Sequence, residues 1–240
     1  TAVGGGVAEI LSRMIPLRRD LGVDASWDVI KGDERFFAIT KKIHNALHGL
    51  GVDISQSDLD YFQEVNRQNC ELMDLFGDIV FIHDPQPIGL VARRVHRESK
   101  WIWRCHIDIS DPQEATMNFL RDYINKYDAA VFSAPIFGRS DLSIKQILIS
   151  PSIDPLSEKN RELPPETIDS IVDRYDLDRD RPIVTQISRF DYLKDPMGVI
   201  EVYKKVKTHI DCQLVLAGGG ATDDPEGPRI LDQIKSVAEM

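Results

Sequence analysis

The chain has 240 residues, of which 42% are hydrophobic and 28% are charged, and its formal net charge at pH 7 is -10. This composition is typical of a globular protein with a buried core and excludes an intrinsically disordered chain. The acidic excess argues against binding to a nucleic-acid polymer, because such proteins cover phosphates with Lys and Arg. No apolar run reaches the ~20 residues of a membrane-spanning helix, so we expect no membrane partner.

The three cysteines, Cys70, Cys105 and Cys212, are odd in number and far apart in the sequence. They fit neither a disulfide framework nor a zinc site, and we expect a reducing, cytoplasmic setting. The chain begins at Thr1 rather than Met and opens directly on a glycine-rich loop. We therefore expect residues to be missing before its start and after its end.

Helical and strand-like patterns alternate along the first part of the chain. Hydrophobic residues recur at helical spacing over 7–21, and Gly22 ends that pattern. The next patterns predict a strand over 25–29, a helix over 34–50 and a helix from the N-cap Ser57 to about 76. Further strands are predicted over 78–82, 101–107, 129–133 and 147–149, with helices over 88–95 and from just before Pro112 to about 127.

The stretch 151–181 differs, because it contains four prolines and many charges and predicts a connection with one short helix over 165–175. After it come predicted strands over 182–187 and 212–217 and helices over 196–207 and 228–240. Such alternation predicts parallel sheets covered by helices. We therefore predict an α/β protein with two Rossmann-like, doubly wound domains, 1–155 and 182–240, joined by 156–181. The second has only two strands and is expected to be incomplete.

The loops that follow the strands hold the candidate site residues, since ligands of open parallel sheets bind beyond the carboxyl ends of the strands. His83, Asp84 and Gln86 follow the strand at 78–82 and suit sugar hydroxyls. The alternative for this loop is a rigid connector with capping residues. His106 ends the next strand, where it either donates to a ligand or is a satisfied, half-buried histidine.

Two glycine loops are further candidates. Gly4, Gly5 and Gly6 precede a helix whose free amides and partial positive charge suit a phosphate, and a tight turn without a ligand is the alternative. Gly219 and Gly220 follow the strand at 212–217, where they either approach a ligand or form an ordinary turn. The first loop is a poor dinucleotide fingerprint, because its third glycine is replaced.

Arg189 and Lys194 follow the strand at 182–187, just before a helix that Asp195 caps. Two cations in this position predict a diphosphate clamp, with two solvated surface cations as the alternative. His44 and His48 have a zinc-compatible spacing, but no third ligand stands out, so we predict no metal site.

Five short motifs together resemble one family. They are GGGVA at 4–8, FIHDPQP at 81–87, WRCHIDIS at 103–110, SRFDYLKD at 188–195 and LVLAGGG at 214–220. Their order and spacing are similar to those of retaining nucleotide-sugar glycosyltransferases with two Rossmann-like domains, the GT-B type. Within that group, the runs at 81–87 and 103–110 resemble trehalose synthases of the glycosyl-transferring type.

The resemblance implies that glucose moves from a nucleotide diphosphate glucose to free glucose with retention, which forms trehalose, and that no metal or other cofactor is needed. The base stays open, with UDP-glucose and ADP-glucose as the candidates, and a homodimer is suggested. The resemblance implies that His106 contacts the transferred sugar and that Arg189, Lys194, Gly5 and Gly6 bind the donor diphosphate. It implies that the acceptor side is formed by Gly4, His83, Asp84 and Gln86. The nucleotide side would be formed by Gly219 and Gly220.

One departure from the family bears on activity. The family has two glutamates eight positions apart in its second domain, whereas Glu239 is the last glutamate here. We therefore expect the 240-residue chain alone to be inactive or nearly so. Two other classes stay open: an NAD-dependent oxidoreductase with Asp28 near the ribose, and a non-catalytic nucleotide-sugar-binding module of the same fold.

Overall fold

The computed structural model of the chain describes residues 5–94, 98–219 and 227–238. Gly4 and Gly220 therefore lie outside the described residues. The chain consists of two compact units, Thr1–Ser152 and Ile153–Met240. In the ranges that the structure describes, no helix is long and apolar enough to cross a membrane.

Three helices open the first unit: α1 (Gly6–Asp20), α2 (Glu34–Leu47) and α3 (Gln56–Leu72). Helix α2 begins where the Asp33 side chain accepts the Phe36 amide. Helix α3 begins at a capping box, in which the side chains of Ser55 and Asp58 each accept the other residue's amide. The prediction of Ser57 as this cap is wrong, because Ser57 lies inside the first turn of α3 and the cap is Ser55.

The sheet of the first unit has four parallel strands in the order β1 (Ile79–His83), β2 (Lys100–Arg104), β3 (Ala129–Phe132) and β4 (Lys145–Leu148). A 3-10 helix, Ile88–Arg93, connects β1 to β2, and α4 (Glu114–Ile124) connects β2 to β3. A 3-10 turn, Pro135–Phe137, lies between β3 and β4. Pro112 lies before α4 rather than inside it, so that part of the prediction is wrong.

The predicted strand over 25–29 is also wrong, because residues 23–33 form neither strand nor helix. Alternation of polar and apolar residues favours an extended backbone, but a strand also needs a neighbour for its hydrogen bonds. Here side chains supply partners instead. The Asn69 amide group bonds both the N–H and the carbonyl of Lys31, and Arg19 donates to the carbonyl of Ala25. The described sheet therefore has four strands where about five were predicted.

One face of this sheet forms the core with α2, α3, α4 and the 3-10 helix that follows β1. Alternate strand residues supply that face: Val80, Ile82, Trp101, Trp103, Ala130 and Phe132, all of them buried. Phe36 and Phe62 stack against each other from α2 and α3, with ring centres 5.9 Å apart. Large buried rings of this kind dominate core energetics, and they give the strands a rigid base.

The second unit contains α5 (Pro165–Arg174), β5 (Ile183–Ile187), α6 (Pro196–Lys207), β6 (Gln213–Ala217) and α7 (Gly227–Ala238). Strands β5 and β6 are parallel, and α6 packs against both of them. Parallel strands thus alternate with helices in both units, and the α/β prediction is confirmed.

Candidate functional site

The site in the first unit is built where β1 and β2 end side by side. The two strands run parallel with His83 opposite Arg104, so their carboxyl ends meet at one edge of the sheet. Asp84 and His106 follow directly, and the structure brings both next to His83. Three of the predicted residues, His83, Asp84 and His106, therefore form one cluster.

Asp84 adopts a left-handed backbone conformation, with φ of +65°. This region is uncommon outside glycine, although Asp tolerates it better than most residues. Three hydrogen bonds fix it there: its N–H donates to the Arg104 carbonyl at 2.8 Å, its carbonyl accepts the Trp103 indole N–H at 3.0 Å, and its Oδ1 accepts the His106 amide at 2.9 Å. Three hydrogen bonds therefore fix the turn. The second carboxylate oxygen of Asp84, Oδ2, bonds no residue that the structure describes.

The loop after Asp84 is secured by a buried asparagine. Asn66, on α3, donates to the Gln86 carbonyl and accepts the Gly89 amide. Gly89 fits because an added Cβ there would lie 2.8 Å from the Asn66 Cβ. The Gln86 side chain makes no hydrogen bond with the described part of the chain, so its amide is available to a ligand.

The imidazoles of His83 and His106 are joined by a hydrogen bond, with His83 Nδ1 2.9 Å from His106 Nε2. The rings are nearly parallel, at 13°, and their centres are 5.2 Å apart. One of these nitrogens must carry a proton and the other must not, so the pair shares a single bridging proton. The outer nitrogens, His83 Nε2 and His106 Nδ1, bond no described residue.

The surroundings keep both imidazoles neutral. Burial lowers the pKa of His83 to about 4, and Arg104 and Arg18 lower it in the same direction. Burial also lowers the pKa of His106 to about 4, with the neighbouring His83 and Arg104 acting in the same direction. Asp84 differs, since burial raises its pKa to about 6, against the opposing effects of the His106 amide and Arg104. At pH 7 the cluster therefore holds two neutral rings and one carboxylate.

Arg104 was missed by the sequence analysis. Its side chain is 7% exposed and donates to the Phe132 carbonyl and to Ser133 Oγ. No described carboxylate lies within ion-pair distance of it, although burial of an unpaired cation is costly. No local pattern marks it, because alternation along β2 places Arg104 on the face opposite the buried Trp101 and Trp103.

The glycines at the start of α1 have backbone amides that no side chain covers. Gly5 is the N-cap of α1 with φ of +82°, and no side chain caps this helix. An added Cβ at Gly5 or at Gly6 would meet no atom within 4 Å. These amides are therefore free of side-chain caps and suit the approach of an anion.

The predicted cations of the second unit lie in the loop after β5. The Arg189 guanidinium, 37% exposed, is 3.8 Å from the carboxylate of the buried Asp191. Lys194 is exposed, and its ammonium bonds no residue that the structure describes. Asp195 caps α6 with its own carboxylate, which accepts the Gly198 amide. The Gly198 amide is therefore engaged within the loop, and the two cationic side chains are its groups that suit an anion.

The glycine loop after β6 packs onto the loop after β5. The Ser188 amide donates to the Ala217 carbonyl at 3.0 Å, and an added Cβ at Gly218 would lie 1.7 Å from the Ser188 carbonyl oxygen. Gly218 is thus required for packing, whereas Gly219 has no atom within 4 Å of an added Cβ. The sequence pattern predicts roles for Gly219 and Gly220 and does not reveal the packing role of Gly218.

Metal-ligating side chains are spread over the described ranges. Among those residues no three His, Cys, Asp or Glu side chains are grouped so that they could hold a metal ion. The His44 and His48 rings lie 4.5 Å apart, and His48 Nδ1 bonds the His44 carbonyl. The three cysteines are free thiols and are all buried.

Similarity to solved structures defines the fold class. A trehalose-6-phosphate synthase matches with a TM-score of 0.71 at 15% identity, over 98% of this chain and 65% of that one. The Burkholderia vietnamiensis alpha,alpha-trehalose-phosphate synthase (UDP-forming) matches with a TM-score of 0.66 at 13% identity, over 99% of this chain and 66% of that one. These proteins have the GT-B fold, and the chain has part of it.

Sequence similarity defines the family. The family model described as "Trehalose synthase, N-terminal domain" matches residues 1–139, and the chain belongs to this family. The trehalose synthase of Thermococcus litoralis is 47% identical over 95% of this chain, and that of Rubrobacter xylanophilus is 42% identical over 95%. The chain spans 56% of the length of each. A trehalose phosphorylase of Pleurotus pulmonarius is 28% identical over 99% of this chain and 38% of its own length.

Acid should destabilise the first unit through the imidazole pair. Unfolded histidines take up protons near pH 6.5, whereas folded His83 and His106 do so only near 4. Stability should therefore fall as pH decreases from 6.5 to 4, and protonation of Asp84 near 6 should offset part of the loss. His83→Asn removes one of these titrations and should reduce the loss by about 1 kcal/mol after allowance for solvent screening.

Urea unfolding followed by tryptophan fluorescence measures this loss, because Trp27, Trp101 and Trp103 all lie in the first unit. His209→Asn, in the second unit, is the matched control and should leave the pH dependence of that signal unchanged. Identical pH dependence in the wild type and in His83→Asn would show that burial of the pair is described incorrectly.

Gly218→Ala should disturb the second unit, because the new Cβ would overlap the Ser188 carbonyl oxygen. Overpacking of this kind costs about 1–3 kcal/mol. Hydrogen–deuterium exchange should therefore become faster in the peptides that contain β5 and β6. Gly219→Ala is the matched control and should exchange like the wild type. Equal exchange in the two variants would contradict the close packing of these loops.

Proposed function

We propose that the protein containing this chain transfers glucose from a nucleotide diphosphate glucose to the hydroxyl of a second glucose, with retention at the anomeric carbon, and so forms trehalose. One observation supports this most: at the strand ends of the first unit, Asp84 Oδ2 and His106 Nδ1 bond no described residue. An ionised carboxylate and a neutral imidazole are strong partners for sugar hydroxyls. Family membership directs the proposal from sugars in general to trehalose synthesis.

His106 would contact the transferred glucose near its C6 hydroxyl. Asp84, His83 and Gln86 would form the acceptor side, and the carboxylate would accept hydroxyl protons as hydrogen bonds. Because the imidazoles stay neutral, they meet sugar hydroxyls as hydrogen-bond partners without adding a positive charge. Cys105, between Arg104 and His106, is a buried thiol whose pKa is raised by burial, so it is a poor nucleophile.

Arg189 and Lys194 would bind the donor diphosphate, with Gly5 and Gly6 near it and Gly219 on the nucleotide side. In the reaction the bond from the anomeric carbon to the diphosphate oxygen breaks, and a bond to the acceptor oxygen forms on the same face. Negative charge grows on the leaving diphosphate, and the acceptor hydroxyl gives its proton to that departing diphosphate oxygen. Cations aimed at that charge stabilise the transition state more than the bound substrate.

Several further features belong to the same proposal. The two cationic side chains take the place of a metal at the diphosphate, the protein works in the cytoplasm, and it forms a homodimer. Buried free thiols agree with a reducing compartment. UDP-glucose and ADP-glucose are both candidate donors.

The activity is tested with a protein in which the chain continues past Met240, alongside the 240-residue chain alone. With UDP-glucose or ADP-glucose, the longer protein should release nucleoside diphosphate only when glucose is added, and the product should be trehalose with the α configuration retained. Release that does not depend on glucose, or binding without release, would contradict synthase activity. Inorganic phosphate released from glucose 1-phosphate and glucose would indicate a phosphorylase, and a fluorescence change of added NADH would indicate an oxidoreductase.

Arg189→Ala should weaken binding of the nucleotide diphosphate glucose about 10- to 100-fold, since hydrogen bonds to charged groups contribute about 1.5–3 kcal/mol. Isothermal titration calorimetry measures this affinity. Arg174→Ala, on the exposed side of α5 in the same unit, is the matched control for loss of a positive charge. Equal affinity of Arg189→Ala and the wild type would refute the diphosphate assignment.

A further inference from the structure

His83 lies on the sheet face opposite the core, at the last position of β1, and its ring is half-buried. Its Nδ1 lies 2.9 Å from His106 Nε2, so the ring nitrogen of His106 that faces His83 is already engaged. We propose that His83 is a positioning residue that fixes the tautomer of His106, so that His106 meets the sugar as a hydrogen-bond donor through Nδ1–H. The inference rests on the proposed function in one respect, namely that His106 contacts a sugar.

The geometry limits the pair to two arrangements. Either His83 donates its Nδ1–H to His106 Nε2, or His106 donates its Nε2–H to His83 Nδ1. In the first arrangement His106 carries its proton on Nδ1 and His83 Nε2 is bare. In the second arrangement His83 carries its proton on Nε2 and His106 Nδ1 is bare. The pair therefore offers one donor and one acceptor at its outer nitrogens, and neither ring changes tautomer without the other.

The surrounding charges favour the first arrangement. Arg18 has its guanidinium over the Phe81 ring, 5.8 Å from the ring centre, and Phe81 lies 6.3 Å from the His83 ring. The positive charges of Arg18 and Arg104 both lower the pKa of His83. Of these two arginines, Arg104 alone lowers the pKa of His106. A positive field favours a bare, lone-pair-bearing nitrogen, so the outer nitrogen without a proton belongs on His83. The outer proton then belongs on His106 Nδ1.

The orientation of His106 is restricted independently of its side chain. Its backbone N–H donates to Asp84 Oδ1 at 2.9 Å, and Asp84 is itself fixed by the Arg104 carbonyl and the Trp103 indole. The backbone of His106 is thus fixed by Asp84, and its ring is fixed by the preceding residue, His83, at the end of β1. Adjacent residues 83 and 84 together determine both the place and the protonation of His106.

Two substitutions separate this role from simple packing. In His83→Asn the side-chain amide nitrogen occupies nearly the place of Nδ1 and can still donate to His106 Nε2. In His83→Gln the amide lies nearer the place of Nε2 and cannot make that bond from the same backbone position. Both replacements are polar and smaller than the imidazole, so a merely structural role would affect them alike.

The deciding measurement is the 15N NMR spectrum of His106 in the protein extended past Met240, with 15N-labelled histidine. We expect Nδ1 protonated and Nε2 bare in the wild type and in His83→Asn, and a shift of the proton to Nε2 in His83→Gln. Because His83 also lies on the acceptor side, both variants should raise KM for glucose alike. In contrast, kcat should be about five- to tenfold lower in His83→Gln than in His83→Asn, the loss expected for one hydrogen bond.

Protonation of His106 on Nε2 in the wild type, or the same His106 spectrum in all three proteins, would overturn the inference. His209→Gln, in the second unit, serves as the control and should change neither the spectrum nor kcat. If the wild type transfers no glucose, the proposed function fails, but the spectra of the three proteins still decide whether His83 sets the tautomer. Urea unfolding of each variant shows that the comparison is made between folded proteins.

Discussion

The site in the first unit depends on one constraint, which is that Asp84 turns the chain through a left-handed conformation at the carboxyl end of β1. The turn is fixed by the neighbouring strand, because β2 supplies the Arg104 carbonyl, the Trp103 indole and, two residues beyond its end, the His106 amide. Strain of this kind persists where the surrounding structure over-determines it. Here the core supplies that support, since Trp103 is almost fully buried.

The second feature of the site is its electrostatic balance. Burial alone would neutralise Asp84 and the two imidazoles together, but the buried Arg104 acts on all of them. It favours loss of the proton in all three groups, which leaves Asp84 as a charged carboxylate and both rings neutral. A sugar hydroxyl meeting this edge would therefore find an ionised acceptor beside an uncharged donor, which suits a neutral acceptor sugar.

The sequence predicted most elements because their signals are local. Helical periodicity identified α1 and α2, and strand ends placed His83, Asp84 and His106 at one edge of a parallel sheet. The failures involve partners that are distant in sequence. The stretch 25–29 alternates like a strand, but the partner of its Ala25 carbonyl is the Arg19 side chain, and the Asn69 side chain bonds Lys31 just beyond it. The bond between His83 and His106 depends on the register of β1 against β2. The burial of Arg104 depends on its packing against β3. No local pattern encodes either of these contacts.

The central claim is that a sugar binds the first unit at the ends of β1 and β2, where Asp84 and His106 meet. A crystal structure of the protein extended past Met240, with glucose and a nucleoside diphosphate, tests this claim directly. We expect glucose with one hydroxyl in hydrogen-bond contact with Asp84 Oδ2 and another with the His106 ring. Glucose bound elsewhere, with the Asp84 carboxylate and both imidazoles untouched, would contradict it.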